Sequence, residues 1–209
     1  AKKNFSRSIT ISLSKERVEK TTTAVNLAAT LAHAGFNVLL VDTDLRNSRM
    51  HSIFCLDDGL PGLSEHLVEE APLEDLLQKT FLDKLTILPA GNLTDNPAEL
   101  MSSSRMNEFI REVRDRYPDR HIIFDSPPAD LAPESMVIAN ETDGTFLIVL
   151  QGKTPRKLVA STLERFDKDK LLGIIFNGYQ KKEKHYKKSK YRDGYGYGYG
   201  YGYGYGKSY

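Results

Sequence analysis

The chain has 209 residues, 40% of them hydrophobic, which is enough to close one compact core around a sheet. Its formal charge of +1 hides an asymmetry, because eight of its 29 basic residues but only two of its 28 acidic ones follow residue 180, leaving the preceding body at about −5. The single cysteine, Cys55, excludes an internal disulfide and a multi-cysteine metal site. No apolar run nears the roughly 18 residues of a membrane-spanning helix and no signal-peptide pattern opens the chain, so a cytoplasmic domain is expected.

In chain order, the first β-branched run, Ser8 to Leu13, reads as a buried strand, and Ala24, Leu27, Ala28 and Leu31 follow at helical spacing until Gly35 ends the helix. Between them lies Ser14 to Thr23, with Lys20-Thr21 placed like the end of a phosphate loop. In such a loop, backbone N–H groups curl around phosphates, a lysine reaches their oxygens and a hydroxyl binds Mg²⁺. The glycines that permit the curl are replaced by Arg17 and Glu19. Glu19 sets a carboxylate beside the phosphate position, a repulsion of about 4 kcal/mol at 4 Å and an effective dielectric of 20, which Arg17 offsets in part. Taken alone, Lys-Thr at a helix start also reads as ordinary helix surface.

The second strand, Asn37 to Val41, runs out through Asp42-Thr43-Asp44-Leu45-Arg46 and so sets two carboxylates at alternate positions. A hard cation takes carboxylate oxygens, and a second carboxylate accepts the proton of an attacking hydroxyl; solvated turn acids are the competing reading. Leu85 to Leu88 is a further strand. Met106, Phe109, Ile110 and Val113 form a helical stripe stopped by Tyr117-Pro118. The strand His121 to Phe124 ends in Asp125, with Ser126-Pro127-Pro128 making a rigid turn after the acid. Strands at Thr145 to Leu150 and Leu171 to Phe176 enclose a less regular helix marked by Leu158, Leu163 and Phe166. This alternation predicts a doubly wound α/β domain, a mainly parallel sheet with helices on both faces, in which ligands bind beyond the carboxyl ends of the strands.

Lys20, Asp42, Asp44 and Asp125 all fall at such strand ends, and with them the sequence resembles the bacterial tyrosine kinase family, itself similar to the MinD and ParA group of P-loop ATPases. Lys20 to Ala28 resembles the family's helix after the phosphate loop, Val41 to Arg46 its Walker A′ motif, Asn96-Pro97-Ala98-Glu99-Leu100 its central loop motif and Asp125-Ser126-Pro127-Pro128 its Walker B motif. The similarity covers about residues 8 to 178. It implies ATP and Mg²⁺ as cofactors: Lys20, Thr21 and Thr22 on the phosphates, Thr21, Asp44 and Asp125 organising the metal, and Asp42 as base toward a tyrosine hydroxyl. Asn177 matches an adenine-contacting position and equally suits a turn before Gly178. Glu134 stands where the family usually carries Asp. The family's upstream helix, with a Glu and two Arg that build a ring of subunits, has no counterpart in the seven residues before Ser8; either the chain has been trimmed or that surface is absent, so ring formation is not carried over.

After a basic linker at 181–193, residues 194–209 form a low-complexity tail with six consecutive Tyr-Gly pairs from Tyr195 to Gly206. Glycine at every second position predicts a mobile tail, not a strand. The resemblance makes Tyr191, Tyr195, Tyr197, Tyr199, Tyr201, Tyr203, Tyr205 and Tyr209 phosphoacceptors, entering a neighbour's site in trans. Each phosphate adds roughly −1.5 to −2 charges, so a few reverse the sign of the basic linker. An unmodified sticky tail, or one binding single-stranded nucleic acid or anionic lipid, is the competing reading of the tail residues.

Two functions therefore stand. One is an ATP-dependent protein-tyrosine autokinase controlling exopolysaccharide or capsule synthesis and export. It would be activated at the inner face of the membrane by a transmembrane polysaccharide co-polymerase, reversed by a tyrosine phosphatase, and have no nucleic-acid partner. The other is a pseudokinase or regulatory subunit with ATP binding impaired by Arg17 and Glu19. A partitioning-type ATPase is disfavoured by the tyrosine tail.

Overall fold

The computed structural model describes residues 7–13, 20–57, 59–92, 94–129 and 134–179. The phosphate-loop positions Arg17 and Glu19, the basic linker and the tyrosine tail lie outside the described residues. The first half of the fold runs β1 (Ser8–Leu13), α1 (Lys20–His33), β2 (Asn37–Asp42), α2 (Met50–Phe54), α3 (Leu63–Glu69), α4 (Leu73–Leu76), β3 (Gln78–Lys79) and β4 (Leu85–Leu88). The second runs α5 (Pro97–Met101), α6 (Ser104–Arg116), β5 (Arg120–Asp125), α7 (Ser135–Glu141), β6 (Gly144–Leu150), α8 (Arg156–Leu163) and β7 (Leu171–Asn177).

The seven strands lie in the order β3-β4-β2-β5-β1-β6-β7, all pairing in parallel except the short edge pair β3–β4. Because successive side chains of a strand point to opposite faces, each central strand feeds two cores. Val38 and Leu40 of β2, Ile123 of β5 and Ile11 of β1 pack under Ala24 and Ala28 of α1. Leu39, Val41, Ile122 and Phe124 face the other way, onto Met106, Phe109, Ile110 and Val113 of α6 and onto Leu63 and Leu67 of α3. Alanine at the buried positions of α1 lets that helix lie close to the sheet, and this sets how far Lys20 at its start stands from the strand ends.

The loop before α3 is tied by Glu65, whose carboxylate accepts from the Gly62 N–H at 2.6 Å, the Ser64 hydroxyl at 2.9 Å and the Asn92 N–H and side-chain amide at 3.1 and 2.7 Å. Gly91 has φ of +88°, and a Cβ there would stand 2.2 Å from Glu65 Oε2 and Ser64 Oγ, so the turn requires glycine. Among the described residues no helix is long and apolar enough to cross a membrane.

Candidate phosphate and carboxylate site

Strand register brings the acids together. Asp42 at the end of β2 and Asp125 at the end of β5 are direct partners in the parallel ladder, 83 residues apart in sequence. Asp42 follows Val38 and Leu40 in the period-2 pattern and Asp125 follows Ile123, so both carboxylates project to the α1 face of the sheet. There they meet Lys20, the first residue of α1. The chain leaving β2 is fastened to the end of β5, because the Thr43 N–H and hydroxyl both donate to the Asp125 carbonyl, at 3.1 and 2.9 Å. Beyond Asp125, the Ser126 N–H donates to Ile11 O and the Ala129 N–H to Leu13 O. The two intervening prolines need no such bond, having no N–H to satisfy.

Lys20 Nζ stands 3.3 Å from Asp44 Oδ2 and 3.2 Å from Asp125 Oδ1, with only 6% of Lys20 exposed. Asp42 and Asp125 are fully buried. Burial disfavours the Lys20 ammonium, but the surrounding Asp125, Asp44 and Asp42 carboxylates outweigh it and raise the lysine above its usual range. Asp42 is pushed up to about 7, by burial first and by the Asp125 charge second, against the opposing pull of Lys20, the Ser48 hydroxyl and the Asp44 N–H. Asp125 is also raised by burial, which the nearby Lys20 and the Thr21 hydroxyl only partly offset. Lys20 stands at ion-pair distance from Oδ1, yet among the described residues neither Asp125 carboxylate oxygen has a hydrogen-bond partner.

That orphaned carboxylate is the test of fit for a metal–phosphate ligand. Among the described residues no group of three or more His, Cys, Asp or Glu side chains is placed to hold a metal by itself. Mg²⁺ commonly takes only one or two carboxylates, the remaining ligands being water and phosphate oxygens. A buried aspartate with open lone pairs, a hydroxyl beside it and a lysine ammonium at the same strand ends fit a cation arriving with a polyphosphate.

Lys20, Thr21, Asp42, Asp44 and Asp125 are thus gathered in one place. Thr22, the third residue of α1, is exposed. Asn177 ends β7, two strands from β1 on the same edge of the sheet, and its side-chain oxygen accepts the Gly178 N–H at 2.8 Å, the turn geometry expected of it. Glu134 is 96% buried and its Oε1 lies 2.6 Å from the Arg46 guanidinium, joining the loop after β2 to the start of α7. Ser48 went unnoticed in the sequence: its hydroxyl donates to Asp42 Oδ2 at 2.6 Å. The Asn47-Ser48 pair after Arg46 signals only a turn.

Comparison with known proteins agrees with this geometry. Residues 6–154 match the model of an AAA domain. Tyrosine-protein kinase YwqD of Bacillus subtilis (strain 168) is 38% identical over 168 residues, covering 79% of this chain and 69% of the relative. The structure of the BceF tyrosine kinase domain superposes with a TM-score of 0.69 at 34% identity, over 81% of this chain and 68% of that one. The septum site-determining protein MinD from Pyrococcus horikoshii, solved complexed with Mg-ADP, gives a TM-score of 0.64 at 25% identity, over 82% of this chain and 69% of that one. A sheet of this order, a lysine locked between strand-end aspartates and relatives at this identity have one common explanation: the chain belongs to the bacterial tyrosine kinase family and carries its P-loop domain.

Proposed function

We propose that this domain is an ATP- and Mg²⁺-dependent protein-tyrosine autokinase, with the tyrosines between Tyr191 and Tyr209 as its acceptors in trans. The observation that carries the reading is the Lys20 ammonium held within 3.3 Å of Asp44 and Asp125, beside an Asp42 whose pKa is about 7. A base works best with a pKa near the working pH, and a carboxyl poised at about 7 accepts a phenol proton far better than an ordinary aspartate. In the transfer, Asp42 takes the tyrosine proton as the phenolic oxygen bonds to the γ-phosphorus; the bond from that phosphorus to the β–γ bridging oxygen breaks, and ADP leaves. Lys20 neutralises charge on the phosphate oxygens. Mg²⁺, when bound through Thr21, Asp44 and Asp125, supplies further charge neutralisation and in-line alignment.

By family likeness, the activity regulates capsule or exopolysaccharide synthesis and export. The domain would work at the inner face of the membrane with a transmembrane co-polymerase, and a tyrosine phosphatase would reset it. The regulatory-subunit reading rests on one feature, the Arg17 and Glu19 substitutions in the phosphate loop. Incubation with ATP and Mg²⁺, followed by phosphotyrosine mapping by mass spectrometry, separates the two. Tail phosphorylation that vanishes in Lys20→Met supports the kinase, whereas tail phosphorylation only on addition of an active relative supports the regulatory subunit. Arg17→Gly with Glu19→Gly is expected to tighten ATP binding in calorimetry, and unchanged or weaker binding would refute the electrostatic account of the loop.

A further inference from the structure

The loop after β2 turns back on itself. The Asn47 N–H donates to Asp44 O at 3.2 Å and to Asp44 Oδ1 at 3.1 Å, which reverses the chain and returns Ser48 to the strand end it has just left. Met50, fully buried at the start of α2, anchors the far side of the turn. The result is a 2.6 Å hydrogen bond from Ser48 Oγ to Asp42 Oδ2, while Asp42 Oδ1 accepts the Asp44 N–H at 3.0 Å. Among the described residues each carboxylate oxygen is thereby held by one donor, which leaves a lone pair on each. The only other side-chain partner of the Ser48 hydroxyl among the described residues is His51 Nδ1 at 3.5 Å, long for a hydrogen bond, so the hydroxyl proton belongs to Asp42.

We propose that Ser48 is a positioning residue for the phosphoryl-transfer step: its hydroxyl fixes the rotation of the Asp42 carboxylate so that one remaining lone pair faces the acceptor tyrosine hydroxyl. This rests on the kinase reading above. An aspartate can turn about its last torsion over a broad range, and a base turned away from its proton donor loses the alignment on which transfer depends. The backbone bond to Oδ1 restrains that rotation from one side only. A second donor at 2.6 Å on Oδ2 removes it. Ser48 itself touches neither nucleotide nor tyrosine in this account, so its removal affects turnover and leaves nucleotide affinity alone.

The test measures phosphate transfer to a synthetic peptide carrying residues 193–209, at varied ATP, for the parent, Ser48→Ala, Ser48→Thr, Asp42→Asn and the Ser48→Ala/Asp42→Asn pair. Loss of a hydrogen bond to a charged acceptor predicts a fall in kcat of roughly ten- to a hundred-fold in Ser48→Ala, with KM for ATP within about two-fold of the parent. Ser48→Thr, which keeps the hydroxyl, restores most of the rate, and Ser48→Ala adds nothing to the residual rate of Asp42→Asn. Unchanged or faster turnover in Ser48→Ala, or a loss carried by KM for ATP, overturns the proposal while leaving the kinase reading intact. If Ser48→Ala does not fold, Ser48→Cys, with a weaker donor, takes its place, and parent-like turnover there overturns the proposal equally. If neither the parent nor its Arg17→Gly/Glu19→Gly form transfers phosphate in a Lys20-dependent way, the kinase reading fails and the role of Ser48 falls with it.

Discussion

Replacing Asp42 by Asn keeps the side chain's size and its contacts: the amide oxygen still accepts the Asp44 N–H, and the amide nitrogen can donate to the Ser48 oxygen. Only the charge goes. In the folded protein the Asp42 carboxyl titrates at about 7 against an ordinary value of 3.8, so between those values the unfolded chain holds fewer protons than the native one. Stability from this group is therefore lost as pH rises through that window, the reverse of a salt-bridged aspartate. A shift of about three units at about 1.4 kcal/mol each bounds the penalty at about 4 kcal/mol near pH 8. Because Asn also removes one of the three acids that favour the Lys20 ammonium, a net gain of about 2 kcal/mol is expected, or about 4–8 °C in Tm for a domain of this size. Thermal or urea unfolding of both proteins at about pH 8 and about pH 5 measures it. Asp42→Asn should melt higher at the upper pH, with more than half of the advantage gone at the lower one. A variant no more stable than the parent near pH 8, or an advantage independent of pH, would refute the reasoning.

Two other substitutions probe the surroundings. Lys20→Met leaves fully buried Asp125 without its cation, and breaking a buried pair typically costs about 3–5 kcal/mol. Since the orphaned acids can be protonated when the pH is lowered, the Tm deficit should be greatest near pH 8 and shrink toward pH 5, and a deficit that grows on acidification would contradict the site's electrostatics. Gly91→Ala should lower stability by about 2 kcal/mol in urea unfolding, because its φ of +88° suits glycine alone and the new Cβ displaces the Glu65 carboxylate.

The parallel strands were legible because each is a short β-branched or leucine-rich run, and β1, β4 and α1 lie where those runs and the alanine stripe put them. Strands β2 and β5 extend one residue beyond the apolar runs to include Asp42 and Asp125, since an acid at a strand end still joins the ladder. The antiparallel strand β3 was not legible: Gln78-Lys79 has no apolar alternation and pairs only because β4 offers an edge. Helices of four or five residues such as α2, α4 and α5 span little more than one 3.6-residue turn, too short for a stripe to repeat. At the site, residue types and strand ends could be read one by one. The alignment of Asp42 with Asp125, the Ser48 bond and the Arg46–Glu134 pair could not, because sheet register and the return of the loop after β2 join residues that no local pattern relates.

The same alignment bears on which of the two functions the chain performs. Two buried carboxylates with raised pKa values and a buried lysine are a costly way to fill the end of a sheet, and an amide or a small hydroxyl at Asp42 would serve the fold better. A domain needed only as a scaffold gains nothing from this arrangement. In the kinase proposed above, Arg17 and Glu19 would change how phosphate is received, whereas Asp42, Asp125 and Lys20 would determine what can be done with it. On the proposed kinase reading, the Arg17 and Glu19 substitutions together with the Asp42, Asp125 and Lys20 cluster predict weak ATP binding with retained transfer chemistry, a slow kinase and not an inert one. The loop-restored variant should raise transfer at low ATP far more than at saturation, a division that a site lacking its base could not show.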